Sequence, residues 1–374
     1  MKFTVSSSTL LKQLSSINGV VNSNPVVPIL ENFLFEIERG KLMITASDLQ
    51  TSMKVSLDVE ADENGSVAVP ARILMDTLKN LPEQPVTFTI DEASYTVEIN
   101  SNNGHYRLAG ENATDFPKLP QVSESKEINL PAATLQKAVS NTLFATSTDE
   151  LRPAMTGVYL NLSDSNTVFV ATDGHRLIRY TRDDVTVDSG TNMIIPRKAL
   201  TLLKNTLPDE NTDVKVEFNQ SNAFFRFGNL QMICRLIDER YPDYENVIPH
   251  DNNNLMTINR NELLSSLRRI AIYANKTTHQ VRFKISNSQL DISAEDLDFS
   301  NEASESLPCE HDGDDIEIGF NARFLIELLS NLPASEVVFK LSAPSRAGLI
   351  VPKEQDSEED ILMLVMPIML NNYM

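Results

Sequence analysis

The chain has 374 residues, 41% hydrophobic and 22% charged, which fits a soluble globular protein with two or three domains. No run approaches the roughly 18 apolar residues of a membrane span, and the opening MKFTVSSSTLL lacks the apolar core of a secretory signal. The two cysteines, Cys234 and Cys309, form no CxxC pair, which argues against a disulfide framework or a cysteine zinc centre and fits a reducing cytoplasm; the net charge of −20 argues against a nucleic-acid partner unless positive charge is concentrated somewhere.

The predicted elements recur. A capped amphipathic helix over STLLKQLSSINGVV (8–21) is followed by a hairpin, FLFEIERGKLMITASD, that ends at Asp48. A second helix, VPARILMDTLKNLP (69–82), stops at Pro82 and leads into the strand VTFTI. The order then repeats. ATLQKAVSNTLFAT (133–146) precedes the hairpin VYLNLSDSNTVFVATD ending at Asp173, and IPRKALTLLKNTLP (195–208) precedes VKVEF. It repeats again with NELLSSLRRIAIYA (261–274), VRFKISNSQLDISAED ending at Asp296, FNARFLIELLSNLP (320–333) and VVFKL. Pro82, Pro208 and Pro333 are spaced by 126 and 125, and the three aspartates by 125 and 123.

A period near 125 is domain-sized, too long for solenoid repeats of roughly 20–50 residues. Three tandem copies of one α+β domain are expected, each with two helices packed on antiparallel meanders, over residues 1–122, 126–249 and 255–374. The boundaries fall in the polar, proline-containing stretches LPQVSESKEI and IPHDNNNLMT.

Charge is segregated. The six helical stretches (7–20, 71–80, 133–146, 197–206, 260–275 and 321–331) carry +1, +1, +1, +3, +2 and 0, a total of +8, and the rest of the chain −28. If the repeat brings those helices to one surface, a positive lining on a negative body suits a polyanion held by its backbone. Helix surfaces that simply carry Lys and Arg give the same count, and charge alone does not separate the two readings.

Motifs for chemistry are sparse. The five histidines (His105, His175, His250, His279 and His311) form no HxxxH or HExxH pair, so no metal site is expected; GxxxxGK[ST], GxGxxG and GxSxG are absent. EQDSEED (354–360) lacks EF-hand spacing and reads as a solvated loop. ATDGHRL (171–177) invites a hydrolase reading, with Asp173 orienting His175. Asp48 and Asp296, however, close the same strand in the other copies, so Asp173 is expected to be a turn residue bonding backbone N–H groups. His175 and Arg176 have no counterparts in Leu49-Gln50 or Leu297-Asp298, and no nucleophile accompanies them. A monomeric binder of polar ligands, built from the same triplicated domain, is the third reading. The terminal ILMLVMPIML (361–370) reads either as a core strand or as a Met-rich surface that adapts to extended peptides.

Six short motifs in order, MKFTV…LLK, VPAR (69–72), ATDGHRL, PRK (196–198), YPDY (241–244) and VMPI (365–368), resemble the β subunit of bacterial DNA polymerase III, the sliding clamp, over the whole chain. The resemblance implies a head-to-tail homodimer ring of six similar domains, with twelve helices lining a hole around duplex DNA and strands outside. It implies no catalysis and no cofactor. The ring tethers the polymerase III catalytic subunit, the clamp loader and other replication and repair proteins, in the cytoplasm and without a membrane.

By resemblance, a partner-peptide pocket involves Arg152, Met155, Thr172, Gly174, His175, Arg176, Leu177, Pro242, Val247, Val365, Met366, Pro367 and Ile368. The DNA-facing basic residues are Lys12, Arg72, Arg197 and Lys198, to which the helix count adds Lys79, Lys137, Lys204, Arg268 and Arg269. Tyr106 and Leu108 would meet Ile272 and Tyr273 of the second chain, flanked by Glu295, Glu302 and Glu305. Four features depart from the family: Met369 stands where a basic residue is common, the loop TDEL precedes Arg152 where relatives often have polar or aromatic residues, Asn24 stands where some relatives have arginine, and LNNYM extends past the usual end.

Overall fold

Among the residues that the computed structural model describes, 1–370 without 62, 124, 189 and 209–211, one order of elements occurs three times. The NNYM tail lies outside the described residues. The first copy runs β1 (Lys2–Ser6), α1 (Ser7–Ile17), β2 (Asn32–Glu38), β3 (Lys41–Ser47), β4 (Thr51–Asp58), β5 (Gly65–Pro70), α2 (Ala71–Lys79), β6 (Pro85–Ile90), β7 (Thr96–Asn100) and β8 (His105–Ala109). The second runs β9 (Lys126–Pro131), α3 (Ala132–Thr142), β10 (Gly157–Leu162), β11 (Thr167–Thr172), β12 (Arg176–Arg182), β13 (Thr191–Pro196), α4 (Arg197–Thr206), β14 (Asp213–Phe218), β15 (Asn222–Phe227) and β16 (Leu230–Arg235). The third runs β17 (Asn254–Asn259), α5 (Arg260–Ile270), β18 (Gln280–Ser286), β19 (Gln289–Asp296), β20 (Asn301–Pro308), β21 (Ile316–Asn321), α6 (Ala322–Asn331), β22 (Glu336–Leu341), β23 (Gly348–Pro352) and β24 (Glu359–Val365). Two short strands, Glu60–Ala61 and Glu310–Asp312, extend sheet edges.

The equivalence reaches single hydrogen bonds. The first helix of each copy starts with an N–H given to the loop before the sixth strand: Ser7 to Gln84, Ala132 to Thr212 and Arg260 to Ser335, at 2.9, 2.8 and 2.9 Å. The chain leaving the last strand is tied back to the fifth strand in the same way. Glu111 N–H bonds the Ala68 carbonyl, Ile237 that of Ile194 and Ile368 that of Gly319, at 2.9, 3.0 and 2.8 Å.

The helices form where apolar residues return every three or four positions, and they bury that face: Leu10, Leu14 and Ile17 in α1, Leu74 and Leu78 in α2, Leu325, Leu328 and Leu329 in α6. Each such leucine removed from water contributes about 1.5–3 kcal/mol. Side-chain caps at Ser6, Asn259 and Asn321 satisfy the first-turn N–H groups of α1, α5 and α6. The helices are shorter than the sequence spacing predicts, most plainly the first of each copy. α1 ends at Ile17 and passes into a 3-10 turn over Asn18–Val20, at Gly19. α3 ends at Thr142, whose hydroxyl bonds the Ala138 carbonyl, and α5 ends at Ile270. In the turns after α1 and α3 the apolar pattern continues because Val20 and Ala145 are buried; past α5 only Ala274 is buried, while Ile272 and Tyr273 face outward.

Contacts gather the chain into two compact units. One comprises Met1–Gln136 and Lys198–Leu236, the other Lys137–Arg197 and the chain from Ile237 on. The first unit contains the sheet β1-β6-β7-β8, edged by Glu60–Ala61, and the eight-stranded sheet β9-β14-β15-β16-β4-β3-β2-β5. The second contains the four-stranded sheet β20-β19-β18-β21 and a nine-stranded sheet, β13-β10-β11-β12-β24-β23-β22-β17 with Glu310–Asp312 at its edge. In the first unit a seam of antiparallel pairing, β4 on β16, joins copy one to copy two, from Leu230↔Val55 to Cys234↔Thr51. In the second the same pairing, β12 on β24, joins copy two to copy three, from Arg176↔Val365 to Arg182↔Glu359.

Candidate peptide-docking cleft and basic helix surface

ATDGHRL is the turn between β11 and β12. Asp173 Oδ1 accepts the N–H groups of His175 and Arg176 at 2.9 and 3.0 Å, and Gly174 holds φ +90°. Asp48 accepts the N–H groups of Gln50 and Thr51, and Asp296 that of Asp298. All three aspartates are therefore turn residues, as the repeat predicts, and Asp173 holds the backbone of His175 rather than its ring. A Cβ at position 174 would lie 2.8 Å from Arg152 Nη1, so this glycine lets the arginine close on the turn.

Arg176, expected by resemblance to belong to the pocket, is largely buried. Its side chain is only 7% exposed. Nε donates to Asp173 Oδ2 at 3.1 Å, Nη1 to Glu327 of α6, and Nη2 to the Phe144 carbonyl at 3.0 Å. The guanidinium also lies 4.9 Å from the ring centre of Phe324 and 5.6 Å from that of Phe144. Arg176 bolts the turn to α6. His175 is exposed and stacks on Phe324 at 5.9 Å. Phe324, Glu327 and Phe144 were missed in the sequence because only the fold brings them to the turn.

The floor is apolar. Leu177, Leu364, Tyr241, Ile248 and Leu349 form one buried cluster, with Tyr159 and Tyr244 packed against it. Tyr241 stacks on Tyr159 at 4.7 Å, and its hydroxyl donates to the Val170 carbonyl. Burial raises the hydroxyl pKa of all three tyrosines, so they stay neutral. Thr172, Leu177 and Val365 are buried and form support behind the surface. The open members of the predicted set are Arg152, Gly174, His175, Val247 and Met366; Met155, Pro242, Pro367 and Ile368 are half-buried. Met366 is held beside the turn by its N–H, which donates to the His175 carbonyl at 2.8 Å, and its side chain is 41% exposed. Met369 is exposed, and in the TDEL loop Asp149 bonds Arg152 Nε at 3.0 Å.

EQDSEED is not wholly a solvated loop. Glu359 and Asp360 belong to β24, and the Glu359 side chain is buried among Lys137 Nζ at 2.5 Å, the Arg182 guanidinium and the Tyr180 hydroxyl. Burial pushes this carboxyl up, but Lys137 and Arg182 outweigh it and hold the pKa below the ordinary value.

The basic helix residues differ in exposure and in their partners. Lys12, Arg72, Lys79 and Arg197 are exposed on α1, α2 and α4, Lys204 is half-buried, and Arg268 is exposed on α5 with Nη2 3.4 Å from Ser330 Oγ. Three others are engaged by acids: Lys137 by Glu359, Lys198 by Asp48, and Arg269 by both Glu305 oxygens at 2.6 and 2.7 Å. Ile272 and Tyr273, just past α5, are 76% and 42% exposed; Tyr106 on β8 is half-buried and Leu108 buried. Among the described residues no group of three or more His, Cys, Asp or Glu is placed to hold a metal, and no helix is long and apolar enough to cross a membrane.

A two-helix α+β domain, present three times and joined copy to copy by strand pairing, defines the class as a clamp-type protein. The models of the N-terminal, central and C-terminal domains of the DNA polymerase III beta subunit match residues 1–120, 129–243 and 245–368 in turn. The beta sliding clamp of Synechococcus elongatus is 30% identical over 381 residues, covering 100% of both chains, and that of Pseudomonas aeruginosa is 30% identical over 99% of this chain and 100% of its own. Crystal structures of the Pseudomonas aeruginosa beta subunit and the Bacillus subtilis sliding clamp superpose with TM-scores of 0.94, at 29% and 26% identity, each over 99% of this chain and 100% of theirs. The chain belongs to the DNA polymerase III beta subunit family, the beta sliding clamps, which are non-catalytic processivity factors.

Proposed function

We propose that two copies of this chain close head to tail into a ring around duplex DNA and hold the polymerase on its template. The observation that carries the reading is a mismatch of edges. The fourth strand of copy one pairs with the eighth strand of copy two, and the fourth of copy two with the eighth of copy three. That leaves β20, the fourth strand of copy three, and β8, the eighth of copy one, each with one unpaired edge among the described residues. An exposed strand edge is a template for another strand.

The two intrachain seams set the register of the third. Thr51 and Arg176 correspond to Asn301, and Cys234 and Val365 to Leu108, so Leu108 falls opposite Asn301 of a second copy. Arg107 then falls opposite Glu302, an opposite-charge pair, and the exposed Ile272 and Tyr273 are the apolar residues that the resemblance assigns to the same interface. A variant carrying both Arg107→Glu and Leu108→Asp should sediment as a monomer and slip off circular DNA, whereas the unaltered chain sediments as a dimer and is retained on circular but not linear duplex. An unaltered chain that stays strictly monomeric at micromolar concentration would sink the ring.

Within that ring, Lys12, Arg72, Lys79, Arg197, Lys204 and Arg268 supply the sequence-independent attraction to phosphates, while Lys137, Lys198 and Arg269, already held by carboxylates, contribute less. The cleft around His175 and Met366 receives extended peptides from the polymerase III catalytic subunit, the clamp loader and repair proteins. Tethering then replaces affinity with effective concentration. We adopt domain limits of 1–122, 126–249 and 255–374, and a cytoplasmic location.

A further inference from the structure

We propose that the β4–β16 seam carries a second docking cleft, distinct from the one around His175, which takes an extended acidic peptide. The inference rests on the reading of the His175 cleft as a peptide site. The backbone frame is shared. The Arg235 N–H donates to the Gln50 carbonyl at 2.8 Å, as Met366 N–H does to His175 at 2.8 Å. Asp48 caps its turn as Asp173 does, and Leu49 takes the left-handed φ of +75° where Gly174 takes +90°.

This frame encloses a cleft of about 280 Å³ lined by Leu49, Gln50, Pro120, Asn222, Ile233 and Arg235. That is just under the roughly 300 Å³ at which ligand pockets begin, enough for a short segment of chain rather than a cofactor. Its chemistry differs from the His175 cleft. Leu49 is 51% exposed and, with Pro120 and Ile233, offers a small apolar wall. Arg235 stands where Met366 stands at the other seam, is exposed, and its guanidinium has no hydrogen-bond or ion-pair partner among the described residues. In a chain of net charge −20, an uncompensated guanidinium at the mouth of a cleft selects a carboxylate. The occupant is a segment with one small aliphatic side chain against Leu49 and an Asp or Glu on Arg235.

The test uses the full chain with leucine and isoleucine methyl groups labelled for NMR, titrated with Ac-Gly-Asp-Leu-Glu-Gly-amide. Saturable shifts of the Leu49 and Ile233 methyls are expected. Arg235→Gln, which keeps the backbone N–H, and the neutral probe Ac-Gly-Asn-Leu-Gln-Gly-amide should each weaken binding at least about threefold, the scale of an exposed ion pair. His175→Ala should leave these shifts unchanged. Its own effect is read separately, as lost affinity for a polymerase-derived peptide, so failure of the His175 cleft and failure of this one are told apart. No saturable shift up to about 10 mM peptide, equal binding of the neutral probe, loss of the shifts in His175→Ala, or the same shifts with inorganic phosphate in place of peptide would each overturn the proposal.

Discussion

The two intrachain seams are built on one backbone plan, yet their turns are secured oppositely. At the β12–β24 seam the turn supplies the cation: Arg176 reaches out to Glu327 and the Phe144 carbonyl and is itself buried. At the β4–β16 seam the turn supplies the anion, and Lys198 of α4 reaches in to Asp48 and Asn22. Thr51 occupies the position of Arg176 and carries no charge. A repeated fold conserves the need to anchor the turn but not the residues that do it. The difference also decides what the surface offers: an exposed methionine, Met366, beside the turn at one seam, and an exposed arginine, Arg235, at the other.

The largest expected contrast follows from that burial. Arg176→Ala leaves Asp173 and the Phe144 carbonyl without their donor and removes the guanidinium packed on Phe324, while the half-exposed Glu327 returns to water; it should cost about 2 kcal/mol in denaturant unfolding. Thr51→Ala should cost under about 1 kcal/mol. Equal losses would mean that Arg176 is not the bolt.

The turn conformations give a second pair. Gly174→Leu puts a side chain at φ +90° and against Arg152, and should cost about 2 kcal/mol and weaken partner-peptide binding at least tenfold. Leu49→Gly relieves a left-handed leucine that is half-exposed, and should change stability by no more than about 1 kcal/mol, in the stabilising direction. Thermal melting compared with peptide titration separates strain from lost contact.

A third test is acidification. The Glu359 carboxyl has a folded pKa below its ordinary value of 4.5, so its stabilising contribution is present above that pH and is lost as pH falls through the folded value. Unfolding followed from pH 6 downward should therefore show part of its acid sensitivity removed in Glu359→Gln. An unchanged pH profile in that variant would mean the Lys137–Glu359–Arg182 cluster does not act on stability. The smallest effect lies at the other seam. Cys234 faces Thr51, and burial pushes its thiol up to about 12, so a thiol reagent should leave it untouched in the native protein and label it only as β4 and β16 separate. Cys309, half-buried and less strongly shifted, serves as the reactive control.

Much of the fold is legible in the sequence, because repetition is a local property visible at separation. The prolines, the aspartates and the leucine spacing of α1, α2 and α6 recur in register, and the structure returns the aspartates as turn caps and the leucines as buried helix faces. The cleft is less legible. Gly174 and His175 stand out because they break the repeat and Met366 because it lies in a Met-rich run, but Phe324 and Glu327 look like ordinary members of an amphipathic helix.

By itself, then, the sequence determined the threefold α+β plan and the aspartate-capped turns, since capping and amphipathicity depend on neighbours a few positions away. Only the tertiary structure decided that Arg176 is buried, that Lys137 and Lys198 are claimed by Glu359 and Asp48, and that Glu359 leaves its acidic loop for the core. Those pairings join residues 150 or more positions apart. Whether a charged side chain faces water, a nucleic acid or a carboxylate depends on which elements the sheets bring beside it.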